Sequence, residues 1–342
     1  MPVNTTVTTP VSGSGNPPEP VRRAAPAVDG TDRIFGLSLR SAGLMVLLIM
    51  GTVGLFLFVR GSGALTDAGL KFLTTQGWEP DSHNFGIATV LTGTLMIASV
   101  AVVLAVPLAT GVALYISEYA PPTLRRLLIN MVDLMAAVPG VVYGLWGFYL
   151  LNPLIIPLAR WISSTFGWLP FLGISDAHPG DPLESETIYE SSTFVAGIVV
   201  ALVIMPTICS VMRESFSRAP VGEREGAYAL GATRLGMIRR VVLPFGRGGM
   251  IGGTMLGLGR AMGETISVVM IITPVYRLQP EILRSGTNSV AALIALRFDA
   301  ASPFELSALM AAGLALFALT LVVNFAASAI IVRTRSGELS EA

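Results

Sequence analysis

Six apolar stretches, each long enough to cross a lipid bilayer as a helix, leave this 342-residue chain few ways to fold. They cover residues 34–59, 87–116, 127–151, 194–212, 248–274 and 306–332, and a crossing needs roughly 20 such residues. Composition agrees: 52% of the residues are apolar and 13% are charged, where soluble domains carry about 25% charge. Lipid must cover much of such a surface. The expected fold class is therefore an all-α membrane protein with six transmembrane helices and both termini on one side.

Charge placement orients it. If the N-terminus is cytoplasmic, that face collects Arg22, Arg23, Arg33, Arg40, Arg125, Arg126, Arg333, Arg335 and the arginines between residues 213 and 247. The other face holds Arg60, Lys71, Arg160, Arg277, Arg284 and Arg297, so the arginine bias places both termini in the cytoplasm. Residues 1–33, rich in Pro, Thr, Ser and Gly without apolar periodicity, are expected to form a disordered cytoplasmic tail, and 336–342 a second, short one. The first apolar stretch is too long for the h-region of a signal peptide, so 34–60 is read as the first spanning helix and 61–86 as an outer loop. Residues 87–335 then make up the main membrane domain.

Between the third and fourth stretches, residues 153–193 look apolar at first but are interrupted by Pro157, Arg160, Gly167 and Pro170. With Trp161 and Trp168 present, the expectation is an interfacial helix lying along the membrane rather than a crossing. A second short amphipathic piece covers 288–297. Pro107 and Pro206 fall inside spans, where they would kink them, and Gly140, Gly144 and Gly147 read as packing notches. Cys209, the single cysteine, reads as a buried, inert thiol. Glu118, just after the second stretch, is given no role beyond the membrane boundary. No zinc, haem or iron–sulfur spacing exists, and no GxxxxGK[ST] loop, so the chain should hydrolyse no ATP and bind no cofactor of its own.

Residues 213–247 are the most informative loop, containing EREGAYALGATRLGMIRRVVLPF from Glu223 to Phe245. Small residues sit on a helix-compatible segment, Gly231 supplies a natural C-terminal stop, and an amphipathic second helix follows until Pro244 ends it. A helix with short side chains at the tip suits insertion into a groove on a partner, and Glu225 adds a charge that can pair with a partner's arginine. A basic loop that merely obeys the charge bias would explain the arginines but not this spacing.

The fifth stretch places Arg260 and Glu264 in otherwise apolar sequence. At i and i+4 on one helix they would share a face. A charge at a helix centre costs roughly 2.5–3.5 kcal/mol on insertion scales, so it needs a partner or an aqueous cavity. Gly249, Gly253, Gly257 and Ala261 form an adjacent stripe suited to close helix packing. Arg260 is expected to face the bundle interior, where its guanidinium can hold two oxyanion oxygens at once. Glu264 would orient it or accept from a protonated oxyanion. A structural ion pair that locks the helix in place is the alternative.

The spacing of Glu225, Gly226, Ala227, Gly231, Val241, Leu243 and Pro244 resembles the EAA loop of ABC importer permeases, departing from it at Gly226 and Val241. In that family the loop docks on the ATPase subunit. The segments AAVPGVVYGLWGFY, IGGTMLGLGRAMGETISVV, LAVPLATGVALYISEYAP and GLKFLTTQGW look like the PstC family of phosphate permeases over most of 34–335. The resemblance implies a type I ABC importer permease fold that pairs with a second permease, PstA, with two copies of the ATPase PstB and with the phosphate-binding protein PstS. ATP and Mg would then be bound in the partner ATPase. It also implies a substrate-pathway role for Arg260 and Glu264. Two rivals stand beside this reading: a permease for another oxyanion or a phosphonate, and an ATP-independent anion channel or intramembrane enzyme.

Overall fold

The computed structural model describes residues 30–174 and 185–336. Most of the expected N-terminal tail, residues 175–184 and the expected C-terminal tail from 337 onward therefore lie outside the described residues. Helix α1 (Gly30–Ala68) starts inside the expected tail and runs past the expected end of the first span into the outer loop. Its residues up to Thr52 belong to one compact unit, a helix with nearly every side chain exposed, and residues from Val53 onward to a second.

The second unit begins with the end of α1, then a single turn, α2 (Lys71–Thr74), and a two-stranded hairpin of β1 (Trp78–Glu79) and β2 (Asn84–Phe85), pairing Trp78 with Phe85 and Glu79 with Asn84. The long elements follow: α3 (Ala88–Leu114), α4 (Pro122–Ala137), α5 (Gly140–Trp146), α6 (Asn152–Phe166), α7 (Thr193–Ser217), α8 (Val221–Ala229), α9 (Arg234–Met237), α10 (Leu243–Gly263), α11 (Ile266–Val269), α12 (Val290–Arg297) and α13 (Pro303–Ser336). Among the described residues six helical stretches are long and apolar enough to cross a membrane: 33–68, 88–119, 140–166, 193–217, 234–263 and 303–326.

The third and the fifth of these differ most from the sequence reading, and proline bears on both. The third crossing starts at Gly140, because Pro139 cannot continue a helix and holds Val138 extended (φ −65°, ψ 127°). It then runs on to Phe166, through the segment expected to lie along the membrane, by way of a π-helical turn at Gly147–Leu151 just before Pro153. A π turn shifts the hydrogen-bond register by one residue, so the N–H that proline lacks is no longer missed. The same device at Ile238–Val242 carries the chain past Pro244, so the second helix of the loop is continuous with α10 instead of ending there. α10 itself stops at Gly263, well short of Pro274. Pro107 and Pro206, by contrast, stand inside α3 and α7 without ending either.

The core is built around α7, whose Val195, Val199, Ile204, Ile208, Met212 and Phe216 are all buried. α3 meets it with Ala98, Ala101, Ala105, Ala109 and Ala113, a helical stripe in which each methyl is 0–1% exposed. Apolar side chains are as content in lipid as against each other, so such helices hold together by close fit. The expected stripe on α10 supplies the other half. A Cβ on Gly249 would stand 2.1 Å from Ser215 Cβ, and one on Gly257 2.5 Å from Ile208 Cδ1. Cys209 is buried and free, as expected. α12, capped by Ser289 Oγ accepting from Ala292 N at 3.1 Å, buries Val290–Leu293 inside the protein.

Because Ser215 Cβ moves only with its backbone, Gly249→Ala is expected to cost about 1–3 kcal/mol of stability through overpacking. Gly252→Ala, where a Cβ meets nothing within 4 Å, serves as the control. Thermal unfolding of the two purified variants in detergent checks this: equal melting points would contradict the close crossing.

Candidate functional site

Arg260 lies on the last turn of α10, on the side next to the buried Gly257 and Ala261. Its Nη1 donates to Thr207 Oγ1 on α7 at 3.0 Å. The rest of the guanidinium is exposed and borders a groove of about 640 Å3 between α10 and α13, lined by Gly252, Met255, Leu256, Gly259, Thr320, Asn324 and Ser328. The expectation that Arg260 points into the interior of its own bundle is thus corrected: it opens toward a groove on the flank. The stripe takes the interior side, and one residue further along a helix rotates the next side chain by about 100° away from it.

Glu264 does not share a helix face with Arg260. The helix ends at Gly263, and Glu264 is extended (φ −68°, ψ 121°), so the i, i+4 relation does not apply. Its Oε1 accepts from the buried Ser267 Oγ at 2.8 Å. The same oxygen stands 2.8 Å from where a Cβ of Gly140 would be, which explains why the start of α5 has no side chain there. Two interrupted helices therefore meet at this carboxylate: the α4–α5 break at Val138–Pro139 and the α10–α11 break at Glu264–Thr265. A carboxylate over the first turn of a helix faces its positive end. Tyr143 spans the first break by donating to the Met135 carbonyl at 2.9 Å, and its hydroxyl is within electrostatic reach of Arg260. Gly144 and Gly147 act as notches, for Ser267 and Met270 and for Val199 and Ile271.

At the far end of α7 the loop folds as a helix, a glycine turn and a second helix. Gly231 has φ +80°, with Gly231 N bonded to Tyr228 O at 2.9 Å and Ala232 N to Ala227 O at 3.0 Å. This reciprocal pair closes a helix with a left-handed residue, where glycine is favoured. Thr233 Oγ1 caps the next helix by accepting from Gly236 N at 3.1 Å. α8 buries no residue. Glu225, Gly226 and Gly231 are exposed, together with Val221, Tyr228 and Leu235, and with Leu230 at 91%. Ala227, Val241 and Leu243 instead pack half-buried against the core cluster, and Pro244 is half-buried as well. The seven matched positions thus divide into a presented surface and its root.

Three residues of the same region escaped the sequence reading. Glu118, at the end of α3, is buried and pairs with Arg224 of α8 at 3.2 Å, while Arg234 of α9 donates to its backbone carbonyl. The signal was a carboxylate two residues before Ala120 and Pro121, but its partners lie more than a hundred residues away.

Comparison with known proteins agrees with this architecture. Residues 105–336 match the family described as "Binding-protein-dependent transport system inner membrane component". The phosphate transport system permease protein PstC 2 of Mycobacterium tuberculosis is 37% identical over 307 residues, covering 87% of this chain and 91% of that one. PstC of Pasteurella multocida is 36% identical over 310 residues, covering 89% and 93%. Among solved structures, a bacterial ABC transporter involved in the import of the acidic polysaccharide alginate aligns with TM-score 0.54 at 15% identity, over 88% of this chain and 99% of its own. The MetNI methionine ABC transporter in an inward-facing conformation aligns with TM-score 0.51 at 16% identity, over 72% and 95%. These two share the fold of a type I importer permease. The relatives are named as permease proteins of a phosphate transport system, and the family as an inner membrane component. With two thirds of its length inside the family match and relatives aligned nearly end to end, the chain belongs to the binding-protein-dependent inner-membrane permeases and, among them, to the PstC phosphate-transport permeases.

Proposed function

We propose that this chain is a permease subunit of an ATP-driven importer of inorganic phosphate, with Arg260 on the translocation pathway. The observation that carries the pathway reading is the position of Arg260: a permanently charged side chain on an apolar helix, facing an open groove with Thr320 and Asn324. Among the described residues it donates one hydrogen bond, to Thr207. A guanidinium has five N–H donors, so the remaining ones can take phosphate oxygens. A second permease, PstA, laid over this flank would close the groove into a conduit. Glu264 serves the pathway indirectly, by holding the two helix breaks, one of which ends α10 four residues beyond Arg260.

The arginine-rich end carrying α8 faces the cytoplasm, with both termini. There two copies of PstB bind ATP and Mg, which this chain does not, and one of them receives the exposed tip of α8 with Glu225, Gly226 and the Gly231 turn. The phosphate-binding protein PstS delivers phosphate on the opposite face. Closure of the ATPases then switches the conduit between outward and inward access.

Arg260→Gln, assembled with its partners in vesicles, is expected to keep the ATPase bound and to lower phosphate uptake about tenfold or more, the scale of one lost charged hydrogen bond. Uptake at the unaltered rate would remove Arg260 from the pathway. Competition by sulfate or a phosphonate in the same assay separates phosphate from other oxyanions. Glu225→Arg is expected to weaken copurification of the ATPase about tenfold or more. Unchanged copurification would take the docking role away from α8.

A further inference from the structure

The root of α8 is held by charge. Glu118 is 7% exposed, in the π-helical turn Tyr115–Tyr119 that ends α3. Its Oε2 accepts from Arg224 Nη1 at 3.3 Å. Arg224 uses its other terminal nitrogen, Nη2, on the carbonyl of Phe216 at the end of α7, at 2.6 Å. Arg234 of α9 donates to the Glu118 carbonyl and lies 4.6 Å over the ring of Tyr119. One turn of backbone thus ties α3, α7, α8 and α9 together, while α8 gives the core cluster the half-buried Ala227.

The ion pair is incompletely made. Oε1 of Glu118 lies 3.2 Å from Arg224 Nη1 without hydrogen-bond alignment, and Oε1 and Arg224 Nε are both buried without a hydrogen-bond partner. A guanidinium presents Nε together with Nη2 along one edge, and that Nη2 is held by the Phe216 carbonyl, so Arg224 grips Glu118 through Nη1 alone. Breaking the pair altogether would strand a buried charge and is strongly resisted, so motion of α8 must drag Glu118 along. α3, with its alanine face seated on α7, answers such a pull as a packed element and not as a loose chain.

We propose that Glu118 is a positioning residue for transport: its pairing with Arg224 passes the movement of α8 to α3 during the ATPase cycle. This rests on α8 docking to the ATPase. Glu118, buried behind α8, acts through Arg224.

The test uses the full transporter in vesicles with the binding protein and labelled phosphate. Glu118→Gln and Arg224→Gln are each expected to retain the ATPase at the unaltered ratio while phosphate imported per ATP hydrolysed falls about tenfold, the scale of a lost charged hydrogen bond. The double variant should be no worse than either single one, since both remove the same contact. Glu118→Asp, which keeps the charge, should recover part of the coupling. Coupling within twofold of the unaltered protein, or defects that multiply in the double variant, overturns the proposal. Loss of the ATPase from Glu118→Gln also overturns it, assigning Glu118 to the build of the docking surface. If Glu118→Gln does not reach the membrane, Arg224→Gln with Glu118→Asp decides the matter by the same readout. Failure of the docking reading shows separately, as Glu225→Arg that still copurifies.

Discussion

The closeness with which α3 and α10 approach α7 is the constraint on which the rest of the protein depends. In lipid there is little gain from bringing apolar surfaces together, so the bundle is held by dispersion contacts that need backbones near one another. The alanines of α3 and the glycines of α10 permit that approach, and α7 fills the space between with Val, Ile, Met and Phe. With three helices fixed as one body, the polar features can be placed around it: Thr207 on α7 to orient Arg260, Phe216 at its end to receive Arg224. A larger residue in either stripe would displace both.

Much of this was legible in the sequence because it follows from period and length. The number of crossings, the stripe at Gly249, Gly253, Gly257 and Ala261, the notches at Gly140, Gly144 and Gly147, the buried Cys209 and the Gly231 turn all appear where residue type predicts. What sequence reading placed wrongly was proline. Pro157 reads as an interruption and Pro244 as a helix end, yet α6 runs through the first and α10 takes in the second just after a π-helical turn, as the third crossing takes in Pro153. A π turn depends on the tertiary surroundings that hold it open, and a single sequence does not display them. Pro139 did break its helix, and so did Pro121 although a π turn precedes it.

The candidate site was legible as a list of residues and illegible as an arrangement. Arg260 and Glu264 were found because charge in apolar sequence is costly, an argument that needs no geometry. Their supposed partnership failed because the helix stops between them, at Gly263, and the side chains depart to Thr207 and Ser267. Glu118, Arg224 and Arg234 were missed for the converse reason: each looks like an ordinary boundary residue until the fold brings α3, α8 and α9 together.

The separation of Arg260 from Glu264 bears on how a pathway for phosphate would work. A pair locked at hydrogen-bond distance would satisfy the guanidinium and leave an anion little to gain; an arginine held by one neutral hydroxyl keeps its charge available. Too strong a grip would be equally unsuitable, since a bound anion must leave again, and here the groove is open and its other polar lining is the neutral Thr320, Asn324 and Ser328. The carboxylate is employed nearby instead, fastening the breaks that let α5 and α11 diverge from α4 and α10. On the proposed pathway, attraction would fall to one residue and backbone geometry to the other, and the helix end at Gly263 is what keeps the two side chains apart.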